Sequence, residues 1–272
     1  MSGRPAIGVF DSGVGGLTVL KELVALVPAA DYLYFGDTAR LPYGSKSVET
    51  VARYALSAAR FLEEKEIELL VVACNTASAL ALPQIAGGVR VPVVGVIEPG
   101  ADAAAAASRT RKAVVIGTEG TVASHAYQRA LAARGIEARE QACPLFVPLV
   151  EEGWTDHPVT EQVAHIYLDA LFKNGPAGAD VMVLGCTHYP LLKPLLRRLA
   201  PPAVTIVDSA ESTAQAVAQQ LTGRASVSKP ETRNSKLTFF STDSVEKFRR
   251  LGARFLGHPV EDVAHVDLDR LP

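Results

Sequence analysis

The chain has 272 residues, 48% hydrophobic and 21% charged, which excludes a disordered chain and, at ~150 residues per domain, suits about two domains. Its 27 Lys and Arg against 29 Asp and Glu leave a formal charge of −2, so no global field exists for gripping nucleic acid or an acidic membrane surface. Three cysteines are too few for a disulfide framework, and an odd count leaves at least one thiol free.

The opening residues carry one Arg and no apolar core before Asp11, so no secretory signal is expected. No run approaches the ~18 apolar residues that span a bilayer. A cytoplasmic location with reduced thiols is the expectation.

Residues 7–10 form the first short apolar run and predict a buried strand. It leads into Asp11, Ser12 and a Gly-rich turn, Gly13-Val14-Gly15-Gly16-Leu17-Thr18. Thr18 stands where a dinucleotide-binding fingerprint requires Gly, so the turn reads as a set of backbone N–H groups offered to a small anion. NAD binding, with Asp37 as the ribose acid, stays open at this point. A second strand is expected over 32–35, followed by the turn Arg40-Leu41-Pro42-Tyr43-Gly44 at the same sheet edge. In 47–66, Val48, Val51, Ala55, Ala59 and Leu62 recur at helical spacing and predict one buried stripe.

Residues 69–73 predict a strand that runs directly into Cys74-Asn75-Thr76. Strands are also expected over 93–97 and 113–116, the second followed by Gly117-Thr118-Glu119-Gly120-Thr121. A helical pattern over 145–150 precedes Glu151-Glu152-Gly153, and 159–173 repeats the helical period with Val163, Ile166, Leu168 and Leu171. The run 181–184 is a strand ending at Cys186-Thr187-His188, which mirrors the Cys74 segment. Strands over 204–207 and 237–241, an exposed polar loop over 222–236 and a helix over 244–257 complete the chain. Alternation of consecutive-apolar strands with amphipathic helices predicts a doubly wound α/β fold with mainly parallel sheets.

Ligands of such sheets bind beyond the strand carboxyl ends, beside helix N-termini. Asp11, Cys74 and Cys186 all fall there, and two cysteines in matched settings favour thiol chemistry over packing. Cys143, before an apolar segment, reads as structural. A zinc site from the cysteines and His188 has no Cys-x-x-Cys pair behind it. A dithiol redox role for Cys74 and Cys186, or anion binding without catalysis, are the other readings.

Five motifs then stand together: Phe10-Asp-Ser-Gly-Val-Gly-Gly-Leu17, Gly36-Asp-Thr-Ala-Arg-Leu-Pro-Tyr-Gly44, Ala73-Cys-Asn-Thr-Ala-Ser78, Cys143-Pro-Leu-Phe-Val-Pro-Leu-Val-Glu-Glu-Gly153 and Gly185-Cys-Thr-His-Tyr-Pro190. In this order they resemble the glutamate racemases of the aspartate/glutamate racemase superfamily. The resemblance implies two pseudo-symmetric α/β domains, residues 1–98 with 211–272 and residues 99–210, with the active site in the cleft between them. It implies interconversion of L- and D-glutamate for peptidoglycan synthesis, without pyridoxal phosphate, metal or nucleotide, by a homodimer that has no nucleic-acid or membrane partner. Cys74 and Cys186 would be the two acid/base residues, assisted by Asp11 on one side and by His188 and Glu152 on the other. Asp11, Ser12, Tyr43, Gly44, Asn75, Thr76, Thr121, Thr187 and His188 would hold the substrate. An aspartate racemase of the same superfamily is the alternative enzyme. About six residues precede the first strand, so dependence on a peptidoglycan-precursor activator is not expected.

Overall fold

A computed structural model describes residues 4–174, 177–222 and 235–272. In chain order it contains β1 (Ala6–Asp11), α1 (Leu17–Leu26), β2 (Asp31–Gly36), α2 (Val48–Glu63), β3 (Leu69–Val72), α3 (Asn75–Gly88), β4 (Val93–Gly95) and α4 (Ile97–Ala107). There follow β5 (Lys112–Gly117), α5 (Glu119–Ala123), α6 (Ala126–Ala132), β6 (Glu137–Ala142), α7 (Phe146–Glu151), α8 (Pro158–Asn174) and β7 (Val181–Gly185). The remainder is α9 (Lys193–Leu199), β8 (Thr205–Asp208), α10 (Ser209–Thr222), β9 (Leu237–Ser241), α11 (Val245–Leu256) and β10 (Val263–His265).

The strands form two parallel sheets, ordered β10-β9-β2-β1-β3-β4 and β6-β5-β7-β8. The second sheet repeats the order of β2-β1-β3-β4 in the first. In each, the chain steps to one side of its first strand and then crosses to the other, at β1/β3 and at β5/β7. Those reversals open a crevice at the carboxyl ends of the central strands. Asp11 and Cys74 sit at the first crevice, Thr118 and Cys186 at the second.

The central strands are apolar at consecutive positions because both faces are covered: all of Leu69–Val72 and all of Val181–Gly185 are buried. One apolar cluster runs through both sheets, taking in Ile7 and Val9 of β1, Val114 and Ile116 of β5, and Met182 and Leu184 of β7. Helix α10 packs on α1 and on α4, and its Ala214 and Val217 belong to the same cluster.

The expected strands and helices are present, and the differences have local causes. Strand β6 reads Glu-Ala-Arg-Glu-Gln-Ala, with no apolar run to announce it, because it is a half-exposed sheet edge. The edge strand β10 has only three residues. The strand expected over 93–97 stops at Gly95 because Ile97 already begins α4. Ser47 caps α2 by accepting from the Thr50 N–H at 3.3 Å, worth about 1 kcal/mol, so Val48 lies in the first turn and is 43% exposed instead of joining the buried stripe. In α8 the buried line is Thr160, Ala164, Leu168 and Leu171, whereas Ile166 is 69% exposed. Most of the polar loop expected over 222–236 lies outside the described residues.

Candidate active site

The turn after β1 is built around Asp11. The backbone N–H of Gly13 donates to Asp11 Oδ2 at 2.9 Å, and Tyr34 Oη donates to the Gly13 carbonyl at 2.9 Å, fixing the turn. The anion that this N–H cradle holds is therefore the chain's own carboxylate. Burial raises the Asp11 pKa, against the lowering effect of the His188 charge and of the N–H groups of Gly13, Gly16 and Ser12. Asp11 Oδ1 is buried with no hydrogen-bond partner, an acceptor left for a cationic group.

Cys74 is the N-cap of α3, its Sγ accepting from the Ala77 N–H at 3.4 Å and donating to Ser12 Oγ at 3.5 Å. A helix N-terminus favours a thiolate, but here desolvation is larger. Burial, with the Asp11 charge second, pushes the Cys74 thiol up to about 12, so it is a thiol at neutral pH. Next to it, Asn75 is held at both ends of its amide: Tyr127 Oη donates to Oδ1 at 2.8 Å, and Nδ2 donates to Ser209 Oγ at 3.2 Å. Its side chain is thereby committed to the protein, which leaves the backbone N–H groups at the start of α3 for a ligand anion.

Cys186 follows β7 and leads into a single 3-10 turn, Tyr189–Leu192, not an α-helix. Its partner is His188, which hydrogen-bonds both Cys186 and Glu151, the latter at 3.1 Å between Nε2 and Oε1. Burial alone would lower the His188 pKa; the bonds to Cys186 and Glu151 override it and raise the value to about 10. His188 is thus an imidazolium at neutral pH, placed beside the Cys186 sulfur. The His188 bond in turn draws the Glu151 carboxyl below its ordinary value.

Glu152 is not the acid in this pair. It is the C-cap of α7 and exposed, while Glu151, one residue earlier, turns toward His188. Adjacent helical residues lie about 100° apart around the axis, and here Glu151 is the one turned to His188 while Glu152 points to solvent.

The two crevices meet. A Cβ on Gly15 would lie 2.3 Å from Thr187 Oγ1 and 2.4 Å from His188 Nδ1, so only glycine permits this approach of the β1 turn to the β7 turn. Thr18 Oγ1 donates both to the Gly15 carbonyl at 2.9 Å and to the Thr187 carbonyl at 3.1 Å. On the other flank, Thr76 Oγ1 lies 2.8 Å from Thr118 Oγ1, and Thr118 lies 2.9 Å from Thr121 Oγ1, forming a hydroxyl trio shared by α3 and the β5–α5 turn. Half-buried Gly44 lies against Thr118. Asp11, Ser12, Gly44, Cys74, Asn75, Thr76, Thr121, Cys186, Thr187 and His188 therefore line one region. Cys74, Cys186, Asp11 and His188 are all under 10% exposed.

Tyr43 is placed differently. Its hydroxyl donates to Asp37, which also accepts from Arg40 Nε at 2.6 Å and from Thr242 Oγ1 at 3.0 Å. That hydroxyl braces the loop carrying Gly44. Asp37 is fully buried and spoken for, so it cannot serve a ribose, and the NAD reading falls with it. All three cysteines are free, and Cys143 lies in the core with its thiol pushed well up by burial. Among the described residues no three His, Cys, Asp or Glu side chains group as metal ligands, and no helix is long and apolar enough to cross a membrane.

Five participants lie outside the residues singled out from the sequence. Thr18 registered only as a failed glycine, and Glu151 was passed over for its neighbour. Thr118 directly follows a strand, which was a usable signal. Tyr127 and Ser209, which anchor Asn75 from distant parts of the chain, had none.

Residues 7–217 match the Asp/Glu/Hydantoin racemase family model. The chain belongs to this family. Within it, the glutamate racemase of Koribacter versatilis is 60% identical over 285 residues, covering 97% of this chain and 98% of that protein. The crystal structure of the Thermus thermophilus glutamate racemase in complex with beta-chloro-D-alanine superimposes with a TM-score of 0.88 at 46% identity, covering 98% of this chain and 99% of that one. The glutamate racemase of Francisella tularensis, in complex with D-glutamate, gives 0.89 at 33% identity, covering 99% of both chains. Known racemases of the family thus share this α/β fold across nearly its whole length.

Proposed function

We propose that this racemase interconverts L- and D-glutamate with Cys74 and Cys186 as bases on opposite faces of the substrate's Cα. The observation that carries the reading is the matched pair of strand-end cysteines at the two chain reversals, each with its own polar partner set, Asp11 and Ser12 for one, His188 and Glu151 for the other. Near-full-length identity of 60% to a glutamate racemase supports glutamate as the substrate.

Racemisation takes the α-proton from one face and returns a proton to the other. Two bases on opposing walls need no movement across the substrate plane. In one direction a thiolate at Cys186, stabilised by the His188 imidazolium, removes the proton, and the electron pair stays on Cα conjugated with the α-carboxylate. The Cys74 thiol then delivers its proton to the opposite face, leaving a thiolate there and a thiol at Cys186. The reverse direction exchanges the roles. Asp11 Oδ1 accepts from the substrate ammonium, and the amides at the start of α3 with the Thr76, Thr118 and Thr121 hydroxyls receive the carboxylates. Exclusion of water strengthens each of these interactions, and with them the stabilisation of the carbanion.

The two sheet units, residues 1–98 with 211–272 and residues 99–210, are the walls in this reading. The product is D-glutamate for peptidoglycan, made in the cytoplasm by a homodimer. Incubation of pure protein with D-glutamate in D₂O, with no added cofactor, should give L-glutamate carrying deuterium at Cα. Cys74→Ser and Cys186→Ser should each abolish racemisation, and L-aspartate should turn over far more slowly. Neither exchange nor product, or full activity of Cys186→Ser, overturns the proposal.

A further inference from the structure

The Glu151–His188 pair belongs to elements of the second sheet, yet the helix that presses on it belongs to the first. Helix α11 follows β9, and three of its residues reach the pair. Phe255, 2% exposed, sets its ring against that of His188 with centroids 4.9 Å apart and planes at 74°. Arg254 Nη1 donates to the Glu151 carbonyl at 2.6 Å. The same guanidinium covers Gly153, whose φ of +82° turns the chain away after Glu151; a Cβ there would meet Arg254 atoms at 2.9 to 3.3 Å. Lys247, two helical turns before Arg254, adds a positive charge that acts on the Glu151 carboxylate.

We propose that Phe255 and Arg254 of α11 are positioning residues for the Glu151–His188 pair, holding the imidazolium in line with Cys186. The proposal rests on the reading of Cys186 as a base. Each group takes one degree of freedom from the pair. Phe255 blocks rotation of the imidazole away from Cys186, and Arg254 pins the last carbonyl of α7, from which the Glu151 side chain projects. Neither touches the substrate. The charged and titratable groups facing His188 are Cys186, Glu151 and Asp11, and those facing Glu151 from α11 are Lys247, which acts on its carboxylate, and Arg254, which meets its carbonyl. The pair is therefore held from both sides, by its own elements of the second sheet and by α11 of the first.

The test uses Phe255→Leu, which keeps apolar bulk without the flat ring, Arg254→Gln, and Arg254→Lys as the conservative rescue. Arg250→Gln, an exposed arginine of the same helix outside these contacts, is the control. Phe255→Leu and Arg254→Gln should lower kcat about tenfold with KM within roughly twofold, since a positioned acid/base group contributes ~10²–10⁴-fold. In both, the His188 ring-proton titration followed by NMR should move down toward the ordinary histidine value, and the alkaline limb of kcat should move with it. Arg254→Lys should recover most of the loss, and Arg250→Gln should match the parent. A lower Tm with an unmoved His188 titration and pH limb would show a purely structural role and overturn the proposal. If Phe255→Leu fails to fold, Arg254→Gln alone decides by the same readout. Cys186→Ser separates the two levels: residual racemisation refutes the base assignment, whereas a dead Cys186→Ser beside an unaltered Arg254→Gln titration refutes only the positioning.

Discussion

Gly15→Ala is the sharpest test of how the two crevices meet. The added Cβ would lie 2.3 Å from Thr187 Oγ1, 2.4 Å from His188 Nδ1 and 2.6 Å from His188 Cε1, where ordinary contact begins at 3.4 Å. The overlap is about 1 Å on two residues at once, and neither turn yields easily. The β1 turn is tied down through Gly13 to Asp11 and Tyr34, and the β7 turn through Thr18 to the Thr187 carbonyl. One must retreat, carrying Asp11 or His188 with it. A misplacement of about 1 Å in a reacting constellation can cost ~10²-fold in rate, and overpacking of this kind costs about 1–3 kcal/mol of stability. The expected result is a ~10²-fold fall in kcat/KM, followed as the decay of the L-glutamate circular dichroism signal, with a lower Tm. Gly87→Ala is the counterpart: nothing lies within 4 Å of its Cβ, so helix propensity should add about 0.5–1 kcal/mol and leave the rate unchanged. A Gly15→Ala enzyme with the parent's rate would refute the close approach on which the single-site reading depends.

Exchanging the adjacent acids should separate them cleanly. Glu151→Gln should lower kcat and bring its alkaline limb to lower pH, because His188 loses a partner that holds it protonated, while Glu152→Gln should leave the pH profile unchanged; the reverse order would restore Glu152. Denaturant unfolding as a function of pH gives an independent check. His188 binds its proton more tightly folded, near 10, than unfolded, near 6.5, so its contribution is whole below pH 6.5 and drains away as pH rises through 10. Between pH 6.5 and 9, before the raised Cys74 thiol adds its own dependence, unfolding free energy should fall by up to about 1.4 kcal/mol per pH unit. His188→Gln should flatten that slope, and an equally steep slope in that variant would remove His188 as its source.

Most of the fold was legible because parallel strands covered on both faces must be apolar at consecutive positions, and β1, β2, β3, β5 and β7 all carry that mark. Edge strands need not carry it, and β6 and β10 went unseen. The two candidate acid/base cysteines were legible for a related reason, since a residue directly after a strand of such a sheet must lie at its mouth. Contacts made by distant residues left no local trace. The choice between Glu151 and Glu152 is a matter of which side of a six-residue helix faces the cleft, which two identical residues in a row cannot announce.

By itself the sequence determined an α/β chain of ordinary charge, two matched strand-end cysteines and a third cysteine set aside for the core. Those follow from local patterns of polarity, which a chain carries before it folds. Only the tertiary structure decided the protonation partners. Cys74 became a buried thiol despite capping a helix, because removal from water outweighs a dipole at that depth. His188 became an imidazolium because Cys186 and Glu151 converge on it from separate elements. Electrostatic free energies depend on distance and burial, and neither is set until the two sheets have come together.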